Sequence, residues 1–184
     1  MKQLSYDIIN QLLRKESFPR ELARELKTNP MSIIRCLRQL AKDNIVYFSQ
    51  LGKSKVYSLK KTREAFTYAC IAEHYKRLKL FNKYPFLSIL AEDILKASKS
   101  GLIMIFGSYV KFNAKKGSDI DLYIETTDAK ECEKIEQINS GLSVKTGLFE
   151  KEDLLMREII KNHVILRGVE SYFEKIKVFD ESQE

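Results

Sequence analysis

The sequence predicts an α+β protein built from three successive segments. In residues 1–63, apolar residues recur every three to four positions in three short stretches, and two strand-like runs follow them. Residues 64–100 have a mostly helical spacing. In residues 101–184, short apolar runs typical of buried strands alternate with helical stretches, a pattern that favours a small mixed sheet with helices.

The first segment is expected to contain three helices and a hairpin. Asn44 should end the third helix, because Asn tolerates left-handed backbone, and the tip at 50–54 contains Gly52. The predicted helices cover 4–13, a stretch that starts near Pro19, and 31–42, and the strands cover 45–49 and 55–59. This order resembles the winged helix-turn-helix DNA-binding domains over most of residues 4–60, through pattern and spacing rather than through invariant residues.

Positive charge is concentrated in the same segment. Residues 1–63 contain 14 Lys and Arg but five Asp and Glu, a net charge of +9, and the remaining residues sum to −2. Such segregation indicates a polyanionic partner; the alternative is a solvated basic face without one. We expect this segment to bind duplex DNA, with phosphate contacts that make affinity depend on salt. The expected contacts are Ser32, Arg35, Arg38 and Gln39 of the third helix, in the major groove, and Lys53 and Lys55 of the hairpin, on phosphates.

The helical connector, 64–100, is predicted to consist of two helices separated at Tyr84-Pro85. Its aromatic residues indicate ordinary core packing; the alternative is the surface of a homodimer. The chain has no apolar run long enough to span a membrane, and it soon turns acidic after Met1, unlike a signal peptide, so we expect a cytoplasmic protein. Its three cysteines form no C-x-x-C pair, which argues against a structural zinc site.

In the last segment, two groups of residues carry the chemistry. Asp119 and Asp121 are two positions apart on a predicted strand, 119–125, so their side chains point to one face. Paired carboxylates of this kind suit Mg²⁺, which also binds substrate phosphates. Gly107-Ser108 directly follows the predicted buried strand 102–106, where a glycine lets the backbone approach a phosphate closely. The other predicted elements are helices at 128–138 and 152–173, the latter punctuated by Gly168, and a strand at 142–149.

Gly107-Ser108, nine intervening residues and then Ser118-Asp119-Ile120-Asp121-Leu122 resemble the signature of the DNA polymerase-beta-like nucleotidyltransferase superfamily. The match is most similar to the minimal nucleotidyltransferases of bacteria and archaea and covers roughly residues 101–167. The resemblance implies a mixed sheet and Mg²⁺-dependent transfer of a nucleoside monophosphate from an NTP. It implies that Asp119 and Asp121 bind the metal and act in catalysis, while Gly107, Ser108 and Ser118 bind the nucleotide.

The sequence departs from the pattern of this superfamily at two places. Val110 and Phe112 stand where members usually have a small residue and a glycine. Members also tend to have a third carboxylate on a later strand, where this chain has Ser143 and Lys145; Glu150 and Asp153 come only beyond that strand.

Two functions therefore compete. The protein is either a nucleotidyltransferase with an unknown acceptor, or a weak or inactive relative that senses nucleotides as a DNA-binding regulator. Because minimal nucleotidyltransferases are similar to antitoxins paired with helical toxins, a toxin or another protein partner is a third option.

Overall fold

A computed structural model describes residues 2–180 of the chain. Met1 and residues 181–184, at the outer ends of the first and last predicted segments, lie outside the described residues. The described residues form two compact units, one up to Tyr75 together with those from Lys177 onward, and the other Lys76–Ile176. The bounds of these two units differ from those of the three predicted segments, 1–63, 64–100 and 101–184. The function expected for each segment stays a prediction.

The first unit begins with the predicted three helices and hairpin. Asn29 caps the third helix, because its side chain accepts a hydrogen bond from the Met31 amide at 2.7 Å, and Asn44 follows that helix with φ of 61°. A two-residue loop at Gly52, φ 60°, joins the strands. The elements are α1 Lys2–Leu12, α2 Pro19–Glu25, α3 Pro30–Lys42, β1 Val46–Leu51 and β2 Ser54–Leu59, and the two strands pair antiparallel.

The three helices of this unit share one apolar core. A backbone bridge between Ser17 and Tyr57 ties the segment before α2 to β2. The fully buried side chains come from all three helices and from the start of the hairpin, and include Ile8, Ile9, Leu22, Ile33, Leu37, Leu40 and Ile45. Their burial leaves the opposite, basic side of α3 in solvent, which is the side expected to contact DNA.

Two helices then follow, as predicted, with a break at Tyr84-Pro85. They are α4 Arg63–Lys83, which runs through the boundary of the two units, and α5 Phe86–Ala97. Pro85 precedes α5, as expected for a residue that disrupts a helix interior but suits a helix start. No helix within residues 2–180 is both long and apolar enough to cross a membrane.

The second unit contains a four-stranded mixed sheet in the order β5-β4-β3-β6. β3 pairs antiparallel with both β4 and β6, whereas β4 and β5 run parallel. The elements are β3 Ile103–Phe106, β4 Ile120–Ile124, α6 Ala129–Glu136, β5 Leu142–Thr146, α7 Leu154–Lys161, β6 His163–Arg167 and α8 Val169–Ile176. The expected mixed sheet and the α+β class are thus confirmed for this unit.

One prediction for this unit was wrong. The stretch 152–173, expected to be helical with an interruption at Gly168, contains the strand β6 between two short helices. The apolar run of β6 is buried on both faces of the sheet and consists of Val164, Ile165 and Leu166. Such a run is compatible with a strand as well as with a helix, and its pairing with β3 makes it a strand. Gly168, φ 86°, then turns the chain into α8.

The two faces of this sheet differ. On one face, Ile105, Leu122 and Val164 occupy paired positions and form a core with α5 and with Ile135 of α6. The other face contains the paired row Ser143, Asp121, Phe106 and His163. His163 lies against α7 and α8, since its Nδ1 is 2.9 Å from the Ile159 carbonyl oxygen and its ring is 4.6 Å from that of Tyr172. Helices therefore cover the β6 end of this face, and the carboxylate of Asp121 stands toward the β5 end.

Candidate active site

Gly107 and Asp121 meet at the end of β3. Phe106, the last residue of β3, pairs with Asp121 of β4, so the chain leaves the strand beside that carboxylate. A methyl group placed on Gly107 would lie 1.9 Å from Asp121 Oδ2, and the backbone of Gly107 has φ of 74°. Both facts require glycine here. The two halves of the motif, separated by nine residues in sequence, are thus in direct contact.

A single tight turn follows Gly107. The amide of Lys111 donates to the Gly107 carbonyl at 3.2 Å, and the amide of Asn113 donates to the Ser108 carbonyl at 3.1 Å. Phe112 ends this turn with φ of 56°. That left-handed conformation suits glycine better than a residue with a large side chain.

The two aspartates lie at the start of β4. Asp119 is exposed and comes one residue before the strand, while Asp121 is half-buried within it. Burial, and to a lesser degree the neighbouring charge of Asp119, raise the pKa of Asp121; Lys145 and Lys111 partly oppose this rise. The two carboxylates are therefore close enough to repel each other, and two ammonium groups lie near Asp121.

The neighbouring strand supplies no acid. Ser143 pairs directly with Asp121, and Lys145 pairs with Tyr123 one step further along the same face. Of the acids beyond β5, Asp153 caps α7 by accepting the Met156 amide at 3.2 Å, and Glu150 is exposed. Within residues 2–180, no group of three or more His, Cys, Asp and Glu side chains is placed to hold a metal ion.

Two other polar residues near the motif have structural partners. The Ser118 hydroxyl accepts a hydrogen bond from the Lys115 amide at 2.9 Å and so closes the loop before Asp119; its role toward a nucleotide stays a prediction. Lys111 donates to Glu158 of α7 at 2.8 Å. The sequence analysis did not single out Lys111. Its position four residues after Gly107 could have indicated that it lies near the site, because residues four apart share one side of a helical turn.

The residues expected to bind DNA lie together in the first unit. Arg35, Arg38 and Gln39 are exposed on α3, Ser32 is half-buried, and Lys53 and Lys55 are exposed on the hairpin.

A groove of about 870 Å³ separates α2 from the hairpin and is lined in part by Arg20, Arg24, Lys53 and Lys55. A second, of about 470 Å³, includes Arg38, Lys42 and Phe48. Sequence reasoning did not single out Arg20, Arg24 or Lys42, although their charges contribute to the excess that it recognised.

No curated protein and no solved structure matches the chain. Residues 91–177 match one family model, described as polymerase beta, nucleotidyltransferase. The match includes both halves of the motif and all four strands of the mixed sheet. It therefore supports the polymerase-beta-like superfamily for this part of the chain.

Proposed function

We propose that the second unit binds a magnesium–NTP complex and that the first unit binds DNA. The observation that carries the nucleotide site is the contact between Gly107 and the Asp121 carboxylate. It supports a single site in which the amides after Gly107 and the Ser108 hydroxyl hold phosphate oxygens beside a metal-binding acid pair. A cytoplasmic location and a protein partner stay predictions.

The donor set fits a hard divalent cation. Asp119 and Asp121 offer carboxylate oxygens, which Mg²⁺ prefers, and their mutual repulsion would be relieved by a cation between them. When bound, the metal would neutralise charge on the phosphates and orient them. Lys111 and Lys145 add positive charge beside Asp121, which favours a triphosphate there.

Two outcomes of nucleotide binding are open. The retained Gly-Ser turn and aspartate pair favour transfer of a nucleoside monophosphate to an acceptor. The pairing of Ser143 with Asp121, and Lys145 near that carboxylate, favour the second outcome, in which nucleotide is bound but transferred slowly. In that case the protein would act as a nucleotide-sensing DNA-binding regulator or as an antitoxin.

The winged-helix proposal rests on the first unit. Its order of three helices and a two-stranded hairpin is that of a winged helix-turn-helix. The exposed side of α3 and the hairpin carry Arg35, Arg38, Lys53 and Lys55, and the segment has a net charge of +9. Positive charge on one helix face and on an adjacent hairpin is the arrangement expected of a surface that follows the phosphates of a duplex.

One experiment tests the nucleotide function and separates its two outcomes. The full chain is incubated with each NTP labelled at the α-phosphate, with Mg²⁺, alone and with candidate acceptors. Retention of label in equilibrium dialysis reports binding, and label that survives denaturation on an acceptor reports transfer. Binding without transfer supports the sensing role, both together support the enzyme, and the absence of binding for all four NTPs contradicts the proposal.

A further inference from the structure

A lysine of the turn after Gly107 is held by an acid of α7. The Lys111 ammonium donates to the Glu158 carboxylate at 2.8 Å. This hydrogen bond, together with the charge of Lys111, lowers the pKa of Glu158, so the acid is ionised at neutral pH. The side chains of Lys111 and Glu158 are 40% and 51% exposed. An ion pair this exposed is weak, so it can open without disturbing a core.

Lys111 also faces the proposed nucleotide site. Its backbone amide donates to the Gly107 carbonyl at 3.2 Å, which fixes where its side chain leaves the turn. Burial is the main cause that raises the pKa of Asp121, and the charge of Lys111 is among the effects that oppose this rise. The Lys111 ammonium is therefore close enough to act on the Asp121 carboxylate while it is bound to Glu158.

The helix α7 lies on the sheet face that carries Asp121. His163, in the same paired row as Asp121, has its Nδ1 2.9 Å from the carbonyl oxygen of Ile159, the residue next to Glu158. The ion pair of Lys111 therefore joins the turn to the helix that borders this face. Among the described residues, Glu158 belongs to no group of three or more His, Cys, Asp and Glu side chains that could hold a metal ion. Its position thus indicates a role toward Lys111 and not toward a metal.

We infer that Glu158 competes with the bound triphosphate for Lys111, an inference that rests on the proposed nucleotide site. Before nucleotide binds, the Glu158 carboxylate holds the ammonium at the edge of the site. A triphosphate at Gly107 and Ser108 brings phosphate oxygens close to this ammonium, and Lys111 exchanges its carboxylate partner for a phosphate. Because the ion pair has to open first, part of the attraction between Lys111 and the phosphates is lost. Glu158 therefore lowers the affinity for the nucleotide without contacting it.

Calorimetric titration of the full chain with ATP and with inorganic tripolyphosphate, both in the presence of Mg²⁺, tests this inference through a double-mutant cycle. Glu158→Gln keeps the shape of the acid but removes its charge, and Lys111→Met keeps the aliphatic stem but removes the ammonium. A third variant combines both substitutions. Glu152→Gln is the matched control, because Glu152 lies just before the same helix and is paired with Arg157. Circular dichroism establishes that each variant is folded.

Glu158→Gln should bind both ligands about two- to five-fold more tightly, as expected when an exposed ion pair no longer has to be broken. Lys111→Met should weaken the binding of both by about ten-fold, and adding Glu158→Gln to it should give no gain. Glu152→Gln should match the wild type.

Four results would overturn the inference: unchanged or weaker binding in Glu158→Gln, an equal gain in Glu152→Gln, a gain that persists without Lys111, or a gain for ATP alone. If the wild type binds neither ligand, the proposed nucleotide site itself fails, and the inference fails with it.

Discussion

Gly107 is the residue on which the proposed nucleotide site depends most directly. The motif in the sequence predicted that Gly107 and Asp121 belong to one site. The pairing that brings them into contact, Phe106 with Asp121, required the structure. The ion pair between Lys111 and Glu158 was not predictable, since it joins residues 47 positions apart and depends on where α7 lies.

Gly107→Ala should destabilise the second unit and abolish its stabilisation by nucleotide. The added methyl group meets the Asp121 carboxylate, and the positive φ is unfavourable for alanine. Gly117→Ala is a matched control, because Gly117 also has a positive φ, 85°, but open space around it. In urea unfolding we expect a loss of about 1–2 kcal/mol for Gly117→Ala and roughly 1–3 kcal/mol more for Gly107→Ala. Equal losses would show that Gly107 is not in contact with Asp121.

Glu131 is expected to make stability depend on pH at the acidic end. Its carboxylate accepts hydrogen bonds from the Ser98 hydroxyl, the Thr126 hydroxyl and the amides of Lys99 and Ser100, which lower its pKa to about 2. A carboxyl whose pKa is lowered on folding contributes stability above its unfolded pKa of about 4.3, and this contribution is lost as pH falls toward 2.

Glu131→Gln should therefore cost about 1–3 kcal/mol in urea unfolding at pH 7, and the difference from wild type should shrink as pH is lowered from 5 to 2. Glu133→Gln, an exposed residue of the same helix, serves as the control. A constant difference across this range would mean that the carboxylate charge of Glu131 does not stabilise the fold.

Lys145→Asp tests whether the site lost its third acid. The substitution places a carboxylate on the face of β5 that Asp121 shares, and removes an ammonium group that opposes a second cation. If the site is a decayed enzyme, transfer of labelled nucleoside monophosphate should rise above wild type, and Ser143→Asp, which pairs directly with Asp121, should act in the same direction. Brisk transfer by the wild type that Lys145→Asp leaves unchanged would contradict this idea.

At the scale of elements, the sequence predicted most helices because their caps and breaks are local. Asn29 and Asn44 at the ends of α3 and Pro85 before α5 act within a few residues of their position. β6 was missed because its identity depends on pairing with the distant strand β3, and an apolar run of three residues, Val164 to Leu166, has no period that distinguishes helix from strand. β5 was predicted three residues too long, since the chain leaves the sheet after Thr146.

The exposed side of α3 and the hairpin should determine DNA affinity. In the full chain, Arg35→Ala with Arg38→Ala should weaken binding to duplex DNA, and Lys53→Ala should reduce the slope of log affinity against log salt by about one per lost phosphate contact. Lys130→Ala with Lys134→Ala, on the exposed side of α6, removes the same charge elsewhere and serves as the control. Binding that salt does not affect, or an equal loss in the control, would contradict the assignment of this surface.

At the scale of the whole molecule, the chain combines a basic helical unit with a unit in which residues 91–177 match the polymerase beta, nucleotidyltransferase family model. The sequence indicated both parts, from charge segregation in the first and from a two-part motif in the second. Which residues belong to each unit could not be predicted from the sequence, because the described residues from Lys177 onward belong to the first unit and not to the second. There Phe179 packs against Phe66 edge to face at 5.5 Å, a contact between residues that no local pattern connects.

The most direct test of the proposed nucleotide site is the melting temperature of the full chain and of Asp119→Asn, with and without NTP, Mg²⁺ and chelator. A ligand at a hundred times its Kd stabilises the folded state by about 2.7 kcal/mol. We therefore expect NTP with Mg²⁺ to raise the melting temperature of the wild type by several degrees. Chelator should abolish this rise, and Asp119→Asn should fold normally but show little of it, because the substitution removes a metal ligand together with the repulsion between carboxylates. A rise that persists in chelator, or that is undiminished in Asp119→Asn, would contradict a metal-dependent nucleotide site at Asp119 and Asp121.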